Sequence, residues 1–463
     1  MKIETFVHRT RIPAPADVVF RWHGQPGALE RLTPPWESVE VVERAGGIQN
    51  GDRVVLRMRL GPLSQQWVAE HRDYQEGVQF RDVQISGPFA HWVHTHRMRP
   101  DGPAACYLED QVEYALPLGV LGYWGGSAFV REKLERLFTY RHRVTVDDVT
   151  AHARWTGKAM KILVTGASGL VGSALVPFLT TGGHQVFRLV RSKPVLTENE
   201  VLWEPMSGVG DFTRLEGLDA VVHLAGENIA AGRWTDEQKA RIRDSRVRGT
   251  KVLSEALSQL VLPPKVLVSA SAIGYYGNRG TEMVSEESPP GSSFLAEVCT
   301  AWEEATAPAE KAGIRVVHGR VGVVLSPKGG ALAKMLLPFK LGAGGHVGSG
   351  QQYMSWIALD DVVGALFHAV ITDTLRGPVN LTTPQAVTNR EFTAILGKVL
   401  RRPTLLPVPA FAVRVVLGEM AEELLLAGTR VAPRQLVATG YEFRFPQLKG
   451  ALRHVLGRPE ATC

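Results

Sequence analysis

The residues with the clearest chemical potential form a glycine-rich turn directly after a short apolar run. Ile162–Thr165 reads as a buried strand, and Gly166–Gly172 (GASGLVG) leads from it into a helical stretch. Glycines in this context allow a tight turn and let backbone N–H groups approach a pyrophosphate at a helix N-terminus. The alternative is a glycine-rich turn without a ligand. The pattern predicts a dinucleotide site at Gly166, Ser168, Gly169, Leu170, Val171 and Gly172.

The next apolar run carries the residues that choose between two cofactors. NAD sites usually place an acidic residue about 20 residues after the glycines, where it holds the ribose 2′-hydroxyl. Here the run Gln185–Val190 ends in Arg191 and Ser192, with no acid. Because a guanidinium pairs with phosphate through two hydrogen bonds, Val190, Arg191 and Ser192 predict NADP(H). The alternative is that Arg191 is a solvated charge at a strand end.

Two further runs end in small or hydroxyl residues. Residues 223–226 (HLAG) offer little bulk against a passing cofactor, and residues 268–271 (VSAS) bring hydroxyl groups. In open α/β sheets, ligands bind at the carboxyl ends of the strands. The predicted cofactor site therefore also includes Leu224, Ala225, Gly226 and Ser269.

The elements that must position these residues alternate along the chain from about residue 160. Helical patterns cover Leu170–Thr181, Asp236–Leu257 and Ala296–Lys311, and short β-branched runs lie between them. Alternation of strands and helices predicts a parallel sheet covered on both faces. We expect the doubly wound α/β arrangement of a Rossmann-like fold.

The first 155 residues follow a different pattern. Several strand-like segments, separated by turn residues, precede one helical stretch at Phe129–His142. This order predicts an α+β fold with a long helix packed on a curved antiparallel sheet. We expect Arg141 and His142 to follow the helix and to cap its last carbonyl groups. Residues 156–158 read as a linker.

Composition excludes several classes of protein. The 463 residues include 52 Lys+Arg and 46 Asp+Glu, and the formal net charge of +6 is spread along the chain. Without a block of like charge, no nucleic-acid partner is expected. The three cysteines are far apart, which favours a reducing compartment. We find no signal peptide or membrane span in the sequence, and we expect a cytoplasmic protein of undetermined oligomeric state.

Three histidines in the first part invite a metal interpretation. His94 and His96 would share one face of a strand, whereas His91 would point to the other face. Three ligands from one strand would not converge on one ion, so we predict no metal site.

From Met160 onward the chain resembles the extended short-chain dehydrogenase/reductase superfamily, in its NAD-dependent epimerase/dehydratase branch. The matching blocks are TGASGLVG, HLAG, SASAIGYYG and SWIALDDVV, in that order. The motifs GENIAAGRW, DSRVRGT, FLAEVCTAWE and PRQLVATGYEFRFP resemble an atypical group with its own C-terminal domain. The resemblance implies that Arg246, in DSRVRGT, approaches the cofactor from the helix after HLAG.

Most members of that superfamily carry a catalytic Tyr-x-x-x-Lys pair, which moves a proton at the substrate oxygen. In the matching segment of this chain Leu295 and Cys299 stand at those positions. The resemblance leaves Ser271 and Tyr276 as predicted catalytic residues, with Tyr275 as an alternative to Tyr276. A further alternative is that the two tyrosines only form a wall of the pocket.

The N-terminal segment HRTRIPAPADVVFRWHGQPGALERLTPPW resembles the START-like superfamily, also described as cyclase/dehydrase or SRPBCC-type. That resemblance implies a helix-grip fold around a cavity for an apolar small molecule. The predicted domains are a START-like domain at 1–155, a Rossmann domain at 160–400 and a C-terminal domain at 401–463.

These expectations combine into one leading hypothesis. It is an NADP(H)-binding, oxidoreductase-like protein of the epimerase family, with an unknown small-molecule substrate, fused to a domain for an apolar ligand. The first alternative is a non-catalytic NADP(H)-binding sensor, which the missing Tyr-x-x-x-Lys pair favours. A weaker alternative is a sugar-nucleotide epimerase.

Overall fold

The computed structural model describes residues 2–60, 63–117, 119–191, 199–206, 208–209 and 212–458. These residues fold into two compact units. The first is built mainly from residues 2–157, and the second mainly from Lys158–Leu179 and His184–Val455. No helix within the described ranges combines the length and apolar character needed to cross a bilayer.

The first unit is one antiparallel sheet with three helices. Its strands are β1 (Glu4–Ile12), β2 (Val39–Ala45), β3 (Arg53–Leu60), β4 (Leu63–Gln75), β5 (Gln79–Ser86), β6 (His91–Pro100) and β7 (Cys106–Ala115). They pair in the order β1-β7-β6-β5-β4-β3-β2. The helices are α1 (Ala16–Gly24), α2 (Ala28–Leu32) and α3 (Gly119–His152). The structure thus has the predicted α+β helix-grip arrangement.

The core of this unit follows from strand alternation. On β6, Trp92, His94, His96 and Met98 are buried, while Val93 and Arg97 between them are half-buried. One apolar cluster joins Phe6, Trp92 and Val112 of the sheet to Leu134 and Phe138 of α3. The helix is therefore held by side chains that the sheet presents on one face.

Helix α3 extends beyond its predicted end at His142, which corrects one expectation. Arg141 and His142 lie inside the helix, because it continues to His152. The Arg141 Nε–H donates to the Leu32 carbonyl oxygen at 3.2 Å, and His142 contacts Asp110 at 2.6 Å. Neither side chain caps the helix end, since both are used in packing against other elements.

The second unit is built on a parallel sheet. Its strands are β8 (Lys161–Thr165), β9 (Gln185–Val190), β10 (Glu200–Glu204), β12 (Ala220–His223), β13 (Val266–Ala272), β15 (Arg315–Val321) and β19 (Gly377–Leu381), with β11 (Gly208–Val209) antiparallel at one edge. The order is β11-β10-β9-β8-β12-β13-β15-β19. The chain reverses its direction of strand addition between β8 and β12. Ligands of doubly wound sheets bind outside the strand ends at such a point.

Helices cover the sheet, and short strand pairs flank it. The helices are α4 (Gly172–Thr181), α5 (Asp236–Ser258), α6 (Phe294–Glu304), α7 (Ala307–Lys311), α8 (Gly330–Lys340), α9 (Leu359–Ile371) and α10 (Asn389–Leu400). The minor strands are β14 (Met283–Val284), β16 (Val323–Leu325), β17 (Tyr353–Met354), β18 (Trp356–Ala358) and β20 (Val387–Thr388). The predicted helix Ala296–Lys311 is two helices, because Pro308 lies in the first turn of α7.

The C-terminal segment returns to the sheet. It comprises α11 (Ala410–Leu417), α12 (Glu419–Ala421), a π-helical turn at Glu422–Leu426, β21 (Arg430–Val431), α13 (Arg434–Ala438) and α14 (Leu448–Val455). Strand β21 pairs with β14, more than 140 residues earlier in the chain. The buried Asp361 carboxylate at the start of α9 accepts the N–H groups of Arg444 and Phe445 at 2.7 and 3.0 Å. These bonds fasten the segment to the end of the sheet.

Candidate functional site

The glycine-rich turn adopts a conformation that requires glycine at two positions. Gly166 has a φ of +64°, and a Cβ there would lie 2.8 Å from the Leu224 backbone. A Cβ at Gly172 would lie 2.2 Å from the Gly166 carbonyl oxygen. Ser168 and Gly169 are exposed at the top of the turn. The turn is thus tightly closed beneath and open above, as a cradle for phosphate must be.

The two other residues predicted within the turn are Leu170 and Val171, and both are half-buried. Leu170 lies against a second glycine turn, where a Cβ at Gly329 would be 3.4 Å from its Cδ1. The backbone N–H of Gly169 bonds to the Gly166 carbonyl at 2.9 Å. Apolar packing on one side and this bond on the other fix the turn ahead of α4.

A hydroxyl–imidazole chain holds the ends of β8 and β12 together. The Thr165 hydroxyl oxygen accepts the N–H groups of Leu224 and Ala225 at 3.1 and 3.2 Å. It also lies 2.7 Å from Nδ1 of His223, the residue beside it in register. Because Thr165 already accepts two bonds, its own O–H donates to Nδ1, which leaves the imidazole proton on Nε2. The Leu224–Gly226 backbone is thereby fixed against Gly166.

The chain of bonds continues into the helices. His223 Nε2 donates to the Thr250 hydroxyl of α5 at 2.9 Å, and the Trp302 indole of α6 donates to the same hydroxyl at 2.8 Å. Burial lowers the pKa of His223 to about 4, so the imidazole is neutral at pH 7. From the sequence we placed His223 only at a strand end. The sequence did contain a sign of this pairing, because Thr165 and His223 are polar residues in otherwise apolar runs.

The residues predicted to choose the cofactor lie at the end of β9. Val190 is half-buried and Arg191 is exposed. Ser192 lies outside the described residues. Arg188, three residues before Arg191, forms an ion pair with Glu200 at 3.1 Å. Among the described residues at this end of β9, Arg191 is the cation that faces solvent.

Arg246 lies on α5 next to the predicted cofactor path. Its Nη1 donates to the Ile242 carbonyl at 3.1 Å, and its guanidinium lies over the Trp302 ring at 5.1 Å. A Cβ at Gly226 would come within 3.3 Å of its Cζ. Burial lowers the pKa of Arg246, although the group remains a cation at neutral pH. The structure thus brings Arg246 and Gly226 together, on the side of the strand ends where the resemblance placed them.

The two predicted catalytic residues belong to a buried polar network. Ser271, Arg320 and Asn380 stand side by side on β13, β15 and β19. The Ser271 hydroxyl donates to Glu303 Oε1 at 2.7 Å. Arg320 donates Nε to Oε1 and Nη2 to Oε2 of the same carboxylate, both at 2.8 Å. Burial acts to lower the pKa of Arg320, but the Glu303 carboxylate outweighs it and raises that pKa.

Tyr276 completes this network from within the core. Its hydroxyl donates to Asn380 Oδ1 at 2.7 Å and accepts from Arg320 Nη1 at 3.0 Å. The side chain is 0% exposed, and burial raises the pKa of its hydroxyl. The neighbouring Tyr275 is half-buried, with its ring 3.4 Å from the Arg320 guanidinium. The Tyr276 hydroxyl thus faces Asn380 and Arg320, and a catalytic role for Tyr276 stays a prediction.

The positions of the usual Tyr-x-x-x-Lys pair carry no proton-transferring group. Leu295 packs in an apolar cluster with Trp234, Ile242 and Met420. Cys299 is 3% exposed, and burial raises the pKa of its thiol to about 11. Ser269 is also buried, at 1% exposure, so its hydroxyl lies beneath the site rather than at the open edge.

The C-terminal segment contributes directly to this region. The Glu423 carboxylate accepts the N–H groups of Phe294 and Leu295 at 3.0 and 3.1 Å, and the Ser293 hydroxyl at 2.9 Å. An acidic side chain at this point satisfies donors that the first turn of α6 would otherwise leave free. The helix that carries Leu295 and Cys299 is therefore fixed by residues near the end of the chain, which our sequence analysis did not predict.

Models of three protein families match the chain. That of the NAD dependent epimerase/dehydratase family matches residues 162–380. That of the polyketide cyclase / dehydrase and lipid transport family matches residues 12–140, and that of a domain of unknown function (DUF1731) matches residues 408–455. The epimerase family protein Mb2239 of Mycobacterium bovis is 46% identical over 298 residues, which are 64% of this chain and 98% of that protein. This chain belongs to the epimerase family.

Two solved structures extend the comparison of this epimerase-family chain. The nucleoside-diphosphate sugar epimerase from Corynebacterium glutamicum has a TM-score of 0.81 and 34% identity, over 98% of this chain and 90% of that chain. Human epimerase family protein SDR39U1, crystallised with NADPH, has a TM-score of 0.60 and 36% identity, over 64% of this chain and 99% of that chain. The predicted resemblances and fold class are confirmed for both parts of the epimerase-family chain.

Proposed function

We propose that the second unit binds NADP(H) and acts as an NADP(H)-dependent oxidoreductase-like member of the epimerase family. The observation that carries the cofactor choice is the end of β9, where Arg191 is exposed and the three residues after Val190 are Arg191, Ser192 and Lys193, with no acid among them. A carboxylate there would favour a ribose hydroxyl, whereas a guanidinium favours a 2′-phosphate. The human relative crystallised with NADPH supports the same choice.

The described residues fit such a cofactor. The cradle at Gly166–Gly172 would hold the pyrophosphate against backbone N–H groups, and Arg191 would hold the 2′-phosphate. Ser192, which lies outside the described residues, is proposed from the sequence alone to share that role. The fixed backbone at Leu224–Gly226 would line the path toward the nicotinamide end, with Arg246 beside it. When bound, the nicotinamide would supply or accept a hydride.

The residues near the proposed nicotinamide position limit which proton-transfer steps the site can support. Leu295 and Cys299 replace the proton-moving pair, and Tyr276 is sealed in the core. Ser271 is the predicted catalytic residue that still lies at the strand end, but its hydroxyl donates a hydrogen bond to Glu303 at 2.7 Å. We therefore propose that Ser271 orients a substrate oxygen as a hydrogen-bonding group, and that Tyr276 has a structural role.

A second candidate function is a non-catalytic NADP(H) sensor. The commitment of Ser271 to Glu303 favours it, because the hydroxyl predicted to take part in catalysis already has a partner in the protein. A sugar-nucleotide epimerase is weaker for the same reason, although the Corynebacterium relative carries that description. We further propose that the chain comprises a START-like domain at 1–155 for an apolar small molecule, a Rossmann domain at 160–400 and a C-terminal domain at 401–463.

Fluorescence titration with NADPH and with NADH tests the cofactor proposal. We expect NADPH to bind more tightly than NADH, and Arg191→Ala to weaken NADPH binding about tenfold or more while sparing NADH. Arg243→Ala, an exposed arginine on α5, is the matched control and should bind both like the wild type. Equal affinities for NADPH and NADH in the wild type, or no loss in Arg191→Ala, would overturn the assignment. Turnover of NADPH with carbonyl substrates then separates the oxidoreductase from the sensor.

A further inference from the structure

The first unit contains a buried cluster of histidines and aspartates, separate from the site at the end of the parallel sheet. Strand register assembles it: Asp82 on β5 stands opposite His94 on β6, and His96 on β6 stands opposite Asp110 on β7. All four side chains project to the inner face, because residues two apart on a strand share a face. His94 and His96 are 2% and 5% exposed.

Asp110 lies behind both imidazoles. Its Oδ1 accepts a hydrogen bond from His94 Nε2 at 2.8 Å and lies 2.7 Å from His96 Nδ1. His96 makes its hydrogen bond from Nε2 to Asp82, and a metal ion would replace that proton. His94 Nδ1 is left with a lone pair, because its Nε2 carries the proton. A carboxylate behind a histidine in this way is the usual support of a metal-binding imidazole.

The two remaining nitrogens face one oxygen of Asp82. Oδ2 lies 3.0 Å from His96 Nε2 and 3.5 Å from His94 Nδ1. Ligands of a tetrahedral zinc ion at about 2.0–2.1 Å stand roughly 3.3 Å apart, which lies between these two spacings. Asp82, His94 and His96 each offer a ligand atom within 4.8 Å of the others. The three donors therefore need only small movements to enclose an ion.

The surroundings support a site with one open side. The Phe80 ring stacks on His96 at 4.2 Å, and the Phe138 ring packs edge-on against His94 at 5.1 Å. These apolar rings hold the imidazoles in place and exclude water from behind them. The Asp82 side chain, on the remaining side, is 23% exposed, and its second oxygen, Oδ1, lies 2.6 Å from His71 Nδ1.

We propose that Asp82, His94 and His96 bind one divalent transition-metal ion, with Asp110 orienting both imidazoles from behind. Two histidine nitrogens and one carboxylate oxygen suit Zn²⁺ or Fe²⁺, and they leave a position open. We predicted no metal site from the sequence, because three ligands on one strand do not converge on one ion. The third donor is supplied by the neighbouring strand, which the sequence pattern does not pair with β6.

Metal binding to the full-length chain tests this proposal. The protein is stripped with a chelator, reloaded with Zn²⁺, and passed over a sizing column before the bound metal is measured; titration calorimetry gives the affinity. We expect one Zn²⁺ per chain. Asp82→Asn and His96→Gln should lose stoichiometric binding, and Asp110→Asn should weaken it about 10- to 100-fold. His91→Ala, on the opposite face of the same strand, is the matched control and should bind normally.

Other outcomes overturn the site. A wild type that retains no stoichiometric Zn²⁺ would show that the cluster is only a hydrogen-bonded polar core. Equal binding in Asp82→Asn, His96→Gln and His91→Ala would place the metal elsewhere. Circular dichroism checks that each variant is folded. If the variants unfold, the Co²⁺-loaded wild type decides: an intense visible spectrum of tetrahedral Co²⁺ supports the site, and the spectrum of aqueous Co²⁺ overturns it.

Discussion

Each unit buries a carboxylate among nitrogen donors, and the two carboxylates do different things. In the second unit, Glu303 receives the forked guanidinium of Arg320 and the hydroxyl of Ser271. In the first, Asp110 receives N–H groups from His94 and His142. Arginine has only donors, whereas a neutral imidazole has one donor and one acceptor. A carboxylate paired with arginine therefore ends a network, while one paired with histidine leaves a lone pair on the far side of the ring.

This difference separates polar residues that hold a fold from polar residues that can bind something further. Arg320 and Tyr276 use their hydrogen-bonding groups on one another, on Glu303 and on Asn380. In the first unit, His94 Nδ1 keeps a lone pair 3.5 Å from Asp82 Oδ2. Burial alone does not distinguish the two cases, since both networks are almost entirely shielded from water.

The largest expected effect comes from removing the charge of Glu303, which pairs with Arg320 in the second unit. Glu303→Gln leaves the Arg320 guanidinium, 3% exposed, without its counter-charge. We expect the free energy of unfolding of the second unit to fall by about 3–5 kcal/mol. Hydrogen exchange of β13 and β15 amides measures it, with the exposed neighbour Glu304→Gln as control. If Glu303→Gln loses no more protection than Glu304→Gln, the ion pair does not hold these strands.

Lowering the pH should also destabilise the second unit through protonation of His223. Its pKa is about 4 in the folded chain and about 6.5 when unfolded, so the unfolded state binds more protons between these values. The stabilisation is present above pH 6.5 and is lost as the pH falls toward 4, by about 3 kcal/mol in all. Urea unfolding from pH 7 to 4.5 measures it. In His223→Asn the slope should flatten, and an unchanged slope would exclude His223 as its source.

Adding Zn²⁺ should stabilise the first unit and leave the second unit unchanged. At free Zn²⁺ 100 times its dissociation constant, the first unit should gain about 2.7 kcal/mol, because only the folded site assembles the three donors. Hydrogen exchange should show added protection in β5, β6 and β7 and none in β13 or β15. Asp82→Asn should abolish the gain. Equal protection of both sheets would mean that Zn²⁺ acts nonspecifically.

The smallest effect is expected at Tyr276. Tyr276→Phe removes a hydroxyl that bonds to Asn380 and Arg320, and leaves those buried groups short of a partner at a cost of about 2 kcal/mol. NADPH affinity should stay at the wild-type value, since the hydroxyl is sealed from the strand ends. Tyr275→Phe, which keeps its ring over Arg320, is the control and should cost less. A large loss of NADPH binding in Tyr276→Phe would restore a direct role for this residue.

Local patterns predicted the framework well. The alternation of runs and helices after residue 160 led to the parallel sheet, and the strand–turn–helix context led to the cradle at Gly166–Gly172. Helix α3 was predicted too short because its outer turns lack a clear apolar stripe. The helix predicted at Ala296–Lys311 is interrupted before Pro308, which suits the first turn of a new helix.

The missed features depend on partners that are distant in sequence. His223 pairs with Thr165 across two strands, and Asp82 meets His94 across a hairpin. Such pairs depend on how neighbouring strands align with one another, and this alignment cannot be predicted from a single sequence. Tyr276 was predicted to be catalytic from its neighbourhood in sequence, but tertiary packing buries it completely. Residue type near a site is thus a weaker guide than the hydrogen bonds that each side chain has already made.

The carboxylate that caps α6 has a consequence for the order in which the protein is made. Phe294 leaves the ribosome 129 residues before Glu423, the residue that satisfies its backbone N–H. At typical elongation rates of about 5–20 residues per second, this interval lasts on the order of ten seconds. The parallel strands through β19 can pair in that time. The cap of α6 and the strand that pairs with β14 are synthesised only afterwards, since they are Glu423 and β21. The helix beside the proposed nicotinamide site is therefore among the last parts of the nascent chain to settle.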